Sequence, residues 1–231
     1  MIEPIRIAIG YDPSEAVAYH VLCHSIMMRS SRPVSFIPLQ LNSLRPVHKR
    51  KRHPLQSTEF SFTRFLTPYL TQYTSACVIY MDCDMLVLDD IATLVSIDPL
   101  APVSVVHHQH KPVSKTKMLD QVQTQYPMKN QSSLMVFWPG HMDCRKLTPE
   151  YVDTAEGLDL HQFKWASRIG RLPFSWNHLV GYDEIVPNTQ ISCLHWTEGG
   201  PWWDESVPYA DVWFKERTAM MAAWERKRAT A

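Results

Sequence analysis

Short, almost uninterrupted apolar runs separated by helix-like stretches constrain this chain most. The runs occupy residues 5–10, 34–41, 76–84, 101–108 and 132–138, and a shorter one occupies 192–197. Runs that are apolar on both faces, rather than alternating, are typical of buried strands in parallel sheets. Because helix-like stretches separate them, the pattern predicts an α/β fold with a doubly wound, mostly parallel sheet and helices on both faces.

Helix signals lie between these runs and after the last one. Asp12, Pro13 and Glu15 match an N-cap, a first helical residue and a capping-box acid, so a helix is expected directly after the first strand. A second, amphipathic helix is predicted over 60–73, bent by Pro68. A long helix with a basic end is predicted over about 207–229. The 231 residues suit a single compact domain spanning 1–231.

Composition excludes several classes of protein. Lys plus Arg and Asp plus Glu both number 23, which argues against a nucleic-acid partner. The glycines form neither a dinucleotide fingerprint nor a P-loop. The five cysteines show no regular spacing, which is typical of reduced thiols in the cytosol. Without a signal-peptide pattern or a bilayer-length apolar run, we expect a cytoplasmic protein, or one in peripheral contact with the inner membrane face.

Two carboxylates, Asp82 and Asp84, interrupt the apolar stretch "IYMDCDMLVLDD". Burying an ionised carboxylate costs several kcal/mol unless a partner compensates, so a cation is expected there. If the strand continues, the two side chains share a face; if it ends, they lie at the ligand-binding edge of the sheet. Such oxygen ligands suit Mg²⁺ or Mn²⁺, and an added imidazole would favour Mn²⁺. A solvated turn is the alternative interpretation.

The "IYMDCDML" strand, the later "LHWTEGGPWW" segment and the order of elements resemble the family 8 retaining glycosyltransferases, nucleotide-sugar enzymes of the GT-A fold. The resemblance implies that Asp82, Asp84 and His195 hold a divalent metal on the donor diphosphate. It further implies a donor site for a nucleotide-sugar, with a UDP-sugar as first choice. Its residues would be Asp12 at the uridine, Arg64 of "FTRFLTPYL" at the sugar, Asp82, Cys83, Asp84, Gln131, Ser132, Gly199 and Gly200.

The segment "LHQFKWASRIGRLPFSWN" resembles the helix and loop that carry the family's residues near the anomeric carbon. The resemblance places this role at His161 or Gln162, with Asp159 beside them. Retention requires either a protein nucleophile or front-face attack. Because His161 and Gln162 are poor covalent nucleophiles, front-face attack is favoured, while Asp159 keeps the other route open.

This chain departs from the family pattern at four positions. Gln131 and Ser133 replace an asparagine and a glycine, Glu198 replaces a second glycine, and Pro201 replaces the lysine that neutralises the diphosphate. A partly dehydrated diphosphate still needs positive charge. We therefore predict a replacement cation, with Lys111 first and Arg64 second; the alternative is a nest of backbone N–H groups at Gly199 and Gly200.

The acceptor is expected to be a glycan or an anionic molecule, because residues 45–54 form a basic run, "RPVHKRKRHP". A solvated loop and an anionic membrane face are the other interpretations of this run. Two functional alternatives remain open. One is a haloacid-dehalogenase-like phosphatase, whose strand also ends in D-x-D; the other is a non-catalytic nucleotide-sugar-binding protein on the same fold.

Overall fold

A computed structural model describes residues 3–51, 56, 58–108 and 131–229, with side chains up to residue 222. The strands in this part are β1 (Ile5–Tyr11), β2 (Val34–Gln40), β3 (Val78–Met81), β4 (Met85–Val87), β5 (Val103–Val105), β6 (Leu134–Phe137), β7 (Ile169–Arg171), β8 (His178–Leu179) and β9 (Cys193–His195). The α-helices are α1 (Ala16–Arg29), α2 (Leu41–Leu44), α3 (Thr67–Leu70), α4 (Pro149–Thr154), α5 (Gly157–His161) and α6 (Ala210–Ala229).

The main sheet has the strand order β2-β1-β3-β6-β5-β7. The pairs β1–β2, β1–β3 and β5–β7 are parallel, whereas β6 runs antiparallel to both β3 and β5. The prediction of a mixed α/β domain with a mostly parallel sheet is therefore confirmed. Two apolar clusters, one containing Ile7 and Ile79 and the other Tyr80 and Phe137, sandwich the sheet.

A second, smaller sheet has the order β4-β9-β8, and the sequence did not predict it. The chain leaves β3 at Met81, turns, and enters β4 at Met85. There it pairs antiparallel with β9, so that Met85 faces His195. Of the two possibilities for the D-x-D stretch, the strand ends at the carboxylates and does not continue through them.

Two helix predictions need correction. The first helix opens with a 3₁₀ turn, Pro13–Glu15, capped by Asp12 as predicted, but Glu15 accepts a hydrogen bond from the Cys83 thiol at 3.4 Å and so does not complete a capping box. The stretch 60–73 forms a 3₁₀ turn, Thr63–Leu66, followed by the single-turn α3, because Pro68 lies at the start of α3. Within the described residues, no helix has the length and apolarity needed to cross a membrane.

Candidate functional site

Asp82 lies at the carboxyl end of β3, where parallel α/β sheets bind ligands. Its Oδ1 accepts a hydrogen bond from the Tyr80 hydroxyl at 2.5 Å and lies 3.1 Å from Nη2 of Arg64. Arg64 therefore places one positive charge beside the buried carboxylates. Burial nevertheless raises the pKa of Asp82 to about 6, against the opposing charge of Arg64.

The β4–β9 pairing brings His195 to the same place. The main-chain N–H of Trp196 donates to the Asp84 carbonyl at 3.0 Å, and Nε2 of His195 lies 3.3 Å from Oδ1 of Asp84. Asp82, Asp84 and His195 each offer one ligand atom, and these three atoms lie within 4.8 Å of one another. Two carboxylates and an imidazole brought this close together could hold a divalent cation.

The other ring nitrogen of His195 faces residues that the sequence analysis gave no role. Nδ1 lies 2.8 Å from Oδ1 of Asn177, whose Nδ2 donates to Oγ of Ser133 at 3.0 Å. All three side chains are buried. Asn177 is the last residue of the "LPFSWN" segment and directly precedes β8. Because β8 pairs with β9, this position brings Asn177 next to His195.

A second chain of contacts leads from Arg64 to the predicted anomeric-carbon residues. Nη1 of Arg64 donates to the Ser132 carbonyl at 3.0 Å, and Oγ of Ser132 lies 2.8 Å from Nδ1 of His161. Burial, followed by the charges of Arg64 and Arg50, lowers the pKa of His161 to about 3, so its ring is neutral at physiological pH. The predicted donor residue Gln131 is also buried beside Ser132.

Asp159 is not part of this chain of contacts. Its carboxylate forms an ion pair of 2.5 Å with Lys164, and its side chain is 37% exposed. Gln162 follows directly as the cap of α5 and is only partly accessible.

Asp12, predicted at the nucleoside, lies directly after β1. Its Oδ1 accepts hydrogen bonds from the Ser14 amide at 3.0 Å and the Ser14 hydroxyl at 2.7 Å, while Oδ2 accepts from the Glu59 amide at 3.2 Å. Next to it, buried Glu15 was not predicted as a site residue. Burial and then the charge of Asp84 raise the pKa of Glu15 to about 8.

The loop after His195 contains Gly199 and Gly200, whose backbone N–H groups were the alternative to a replacement cation. Gly199 adopts φ 116°, which favours glycine, but its N–H already faces the Trp196 carbonyl at 3.4 Å. Gly200 packs directly under the ring of Trp202, where a Cβ would lie 2.2 Å away. Lys111 lies outside the described residues.

The tryptophans near this loop are mainly core. Trp196 is buried and packs against Trp202, which in turn contacts Trp213 of α6. Trp203, the neighbour of Trp202, is exposed at 41%.

Comparison with solved structures places this fold among glycosyltransferases. The chain superposes on GlyE of Streptococcus pneumoniae TIGR4 with a TM-score of 0.64 at 13% identity, covering 97% of this chain and 64% of GlyE. It superposes on the WbbM bifunctional glycosyltransferase with a TM-score of 0.63 at 16% identity, covering 96% of this chain and 51% of WbbM. For the galactosyltransferase LgtC in complex with donor and acceptor sugar analogues, the TM-score is 0.55 at 13% identity, with 93% and 96% covered.

These likenesses show the fold, which is GT-A-like, and the chain spans only about half of WbbM and under two thirds of GlyE. No family model matches the chain. Its sequence is, however, 44% identical over 224 residues to Protein CDI of Arabidopsis thaliana, which covers 93% of this chain and 86% of that protein. At this identity and coverage, the chain belongs to the same protein family as Protein CDI.

Proposed function

We propose that this protein is a metal-dependent, family 8-type glycosyltransferase, built as one domain over 1–231. It transfers a sugar from a nucleotide-sugar, with a UDP-sugar as first choice, to a hydroxyl of a glycan or anionic acceptor, with retention. The observation that carries the proposal is the cluster of Asp82, Asp84 and His195 at the carboxyl edge of a GT-A-like sheet. The LgtC structure, which holds donor and acceptor sugar analogues on this fold, supports the same assignment.

Asp82, Asp84 and His195 are the residues that would hold the metal, with Mn²⁺ preferred over Mg²⁺ because of the imidazole. A divalent ion there supplies Lewis-acid stabilisation of the anionic diphosphate leaving group. The haloacid-dehalogenase-like alternative is not favoured, because the solved structures that share this fold are glycosyltransferases.

Arg64 is the described side-chain cation beside the carboxylates, and we assign it to the donor. Its guanidinium already contacts Asp82 and the Ser132 carbonyl, which fixes its plane at the edge of the site. Asp12 is our candidate for the nucleoside, and Gln131 with Ser132 for the sugar. Cys83, whose thiol donates to Glu15, would contribute its backbone to the donor pocket.

The neutral state of His161 helps to distinguish front-face attack from a covalent intermediate. A neutral imidazole held by Ser132 suits hydrogen bonding to a sugar hydroxyl better than covalent attack. Asp159 is paired with Lys164, which reduces its nucleophilicity. Both observations favour front-face attack over a covalent intermediate, with His161 and Gln162 lining the donor sugar.

A thermal-shift screen tests the donor and metal together. We expect a UDP-sugar to raise the melting temperature only when Mn²⁺ or Mg²⁺ is present, because a ligand at 100 times its Kd stabilises by about 2.7 kcal/mol. Asp84→Asn should abolish the shift and the release of UDP, while Asp211→Asn, an exposed aspartate on α6, should retain both.

Two results would count against the proposal. If no nucleotide-sugar stabilises the parent protein with either metal, the donor assignment is wrong. If a nucleotide-sugar binds with metal but is neither hydrolysed nor transferred to any acceptor, the non-catalytic interpretation replaces the enzyme.

The replacement for the lysine missing at Pro201 can be found by titration. With Mn²⁺ present, Lys111→Ala or Arg64→Ala should weaken binding of UDP by about 1.5–3 kcal/mol, the range for a hydrogen bond to a charged group. The variant that loses this affinity identifies the cation, and exposed Lys215→Ala serves as the control. If neither loses it, the backbone of Gly199 and Gly200 becomes the better candidate.

A further inference from the structure

Ser133 connects the two halves of the Asp82–Asp84–His195 cluster. Its main-chain carbonyl accepts a hydrogen bond from the Asp82 amide at 2.9 Å, while its hydroxyl accepts one from Nδ2 of Asn177 at 3.0 Å. Asn177 in turn presents Oδ1 to Nδ1 of His195 at 2.8 Å. Ser133 thus contacts the β3 side of the cluster directly and the β9 side in two ways, through the Asn177 amide and through its own Oγ, which lies 3.4 Å from Nδ1 of His195.

The proton arrangement follows from the acceptor. An amide oxygen has no proton to give, so Nδ1 of His195 must carry the hydrogen in this bond. In the neutral ring, Nε2 then keeps its lone pair, and this is the nitrogen that lies 3.3 Å from Asp84. In water, a neutral imidazole prefers the opposite arrangement, with hydrogen on Nε2, which would let the ring donate to Asp84 and block metal binding.

The orientation of the Asn177 amide decides between these two states. In the structure its nitrogen faces the Ser133 hydroxyl and its oxygen faces His195. The same Ser133 Oγ lies 3.4 Å from Nδ1 of His195 and offers a hydrogen on Nδ1 a second acceptor. Ser133 occupies the position at which the family 8 pattern has a glycine, so the hydroxyl is a feature of this chain.

We propose that Ser133 and Asn177 are a positioning pair that holds His195 in the tautomer with hydrogen on Nδ1, so that Nε2 is ready for a metal ion. The part of this proposal that concerns the metal rests on the proposed function, whereas the tautomer does not. Contacts of this kind around metal-binding histidines typically change metal affinity by about 10–100-fold.

Nitrogen-15 NMR of the full-length, metal-free protein with labelled histidines tests the tautomer. At a pH where the His195 signals show a neutral ring, we expect hydrogen on Nδ1 in the parent protein. Asn177→Leu and Ser133→Ala should shift the population toward hydrogen on Nε2. Asn177→Asp should restore the parent pattern, because a carboxylate also accepts from Nδ1. Ser104→Ala is the control, since Ser104 is an equally buried serine in β5.

Mn²⁺ titration of the same proteins supplies the second measurement. We expect the Kd for Mn²⁺ to rise about 10–100-fold in Asn177→Leu and by a smaller factor in Ser133→Ala, with Asn177→Asp and Ser104→Ala near the parent value. Should Asn177→Leu fail to fold, Ser133→Ala and Ser133→Gly carry both measurements.

The two proposals fail in different ways. Hydrogen on Nε2 in the parent, or an unchanged tautomer in Asn177→Leu and Ser133→Ala, would overturn the positioning pair whatever the metal does. If the parent shows hydrogen on Nδ1 but binds no Mn²⁺, the pair stands and the metal site of the proposed function is wrong. A lost tautomer with unchanged Mn²⁺ affinity would overturn the part of the inference that concerns the metal.

Discussion

The acidic side chains at the end of β3 differ in how strongly neighbouring groups stabilise their charge. Asp82 contacts both Arg64 and the Tyr80 hydroxyl. Glu15, which is 5% exposed, accepts a hydrogen bond from the thiol of Cys83, a weak donor. The pKa of Glu15 rises to about 8, mainly because of burial and next because of the charge of Asp84. Glu15 is therefore largely protonated in the folded protein at neutral pH.

Glu15 should make the stability of the metal-free protein depend on pH. Its pKa rises from 4.5 to about 8 on folding, so between these values the folded state binds more protons than the unfolded state. Stability from this group is present below pH 4.5 and is lost as the pH rises toward about 8. We expect Glu15→Gln to flatten the fall in the free energy of unfolding over this window, measured by urea unfolding. Exposed Glu150→Gln is the control, and an equal slope in both variants would contradict the prediction.

Helix α6 is held to α1 by a partly buried charge cluster. Glu216 lies 2.6 Å from Nδ1 of His24 and 2.7 Å from Nη2 of Arg29, and only 7% of the residue is exposed. Trp213, one turn earlier, packs against Trp202 in the loop that follows His195. The docking of α6 therefore supports the loop at the candidate site.

Neutralising Glu216 should loosen this docking. We expect Glu216→Gln to lower the free energy of unfolding by about 1.5–3 kcal/mol, because hydrogen bonds to a charged group are lost and Arg29 keeps its charge. Arg217→Gln alters the next residue, which is exposed, and should change stability by less than about 0.5 kcal/mol. Chemical unfolding followed by tryptophan fluorescence measures both, and equal effects would show that the cluster contributes nothing specific.

At the scale of the whole molecule, the charges balance but are unevenly distributed. The basic run at 45–54 led us to expect an anionic acceptor. Within it, Arg50 lies 3.8 Å above the Phe62 ring and donates to the carbonyls of Val152 and Ala155. Arg50 is therefore structural. Lys49 and Lys51 are exposed, and Arg52 lies outside the described residues.

Lys49 and Lys51 should affect acceptor use but not donor hydrolysis, because exposed charges mainly affect the encounter with anionic partners. We expect the double variant Lys49→Gln/Lys51→Gln to slow transfer to an anionic acceptor at low salt, with the difference shrinking at high salt. Lys215→Gln/Arg217→Gln removes two exposed cations elsewhere and is the control. Equal loss of donor hydrolysis would instead assign the run to the donor site.

What the sequence determined by itself was local. Runs of apolar residues predicted β1, β2, β3, β5, β6 and β9, and the cap at Asp12 was correctly placed, because periodicity and capping depend on residues a few positions apart. The buried carboxylates also required a cation, since burial cost follows from residue type alone. The resemblance to a known family then selected His195 as their partner.

The tertiary structure decided which distant residues meet. The reversed direction of β6, the pairing of β4 with β9, and the contacts of Arg64 with Asp82 and of Asn177 with His195 join segments far apart in the chain. No local pattern encodes such pairings, because they depend on how whole elements pack around a shared core. Ser133 is an example. The sequence shows only that it departs from a family motif, whereas the tertiary structure shows which side chains its hydroxyl contacts.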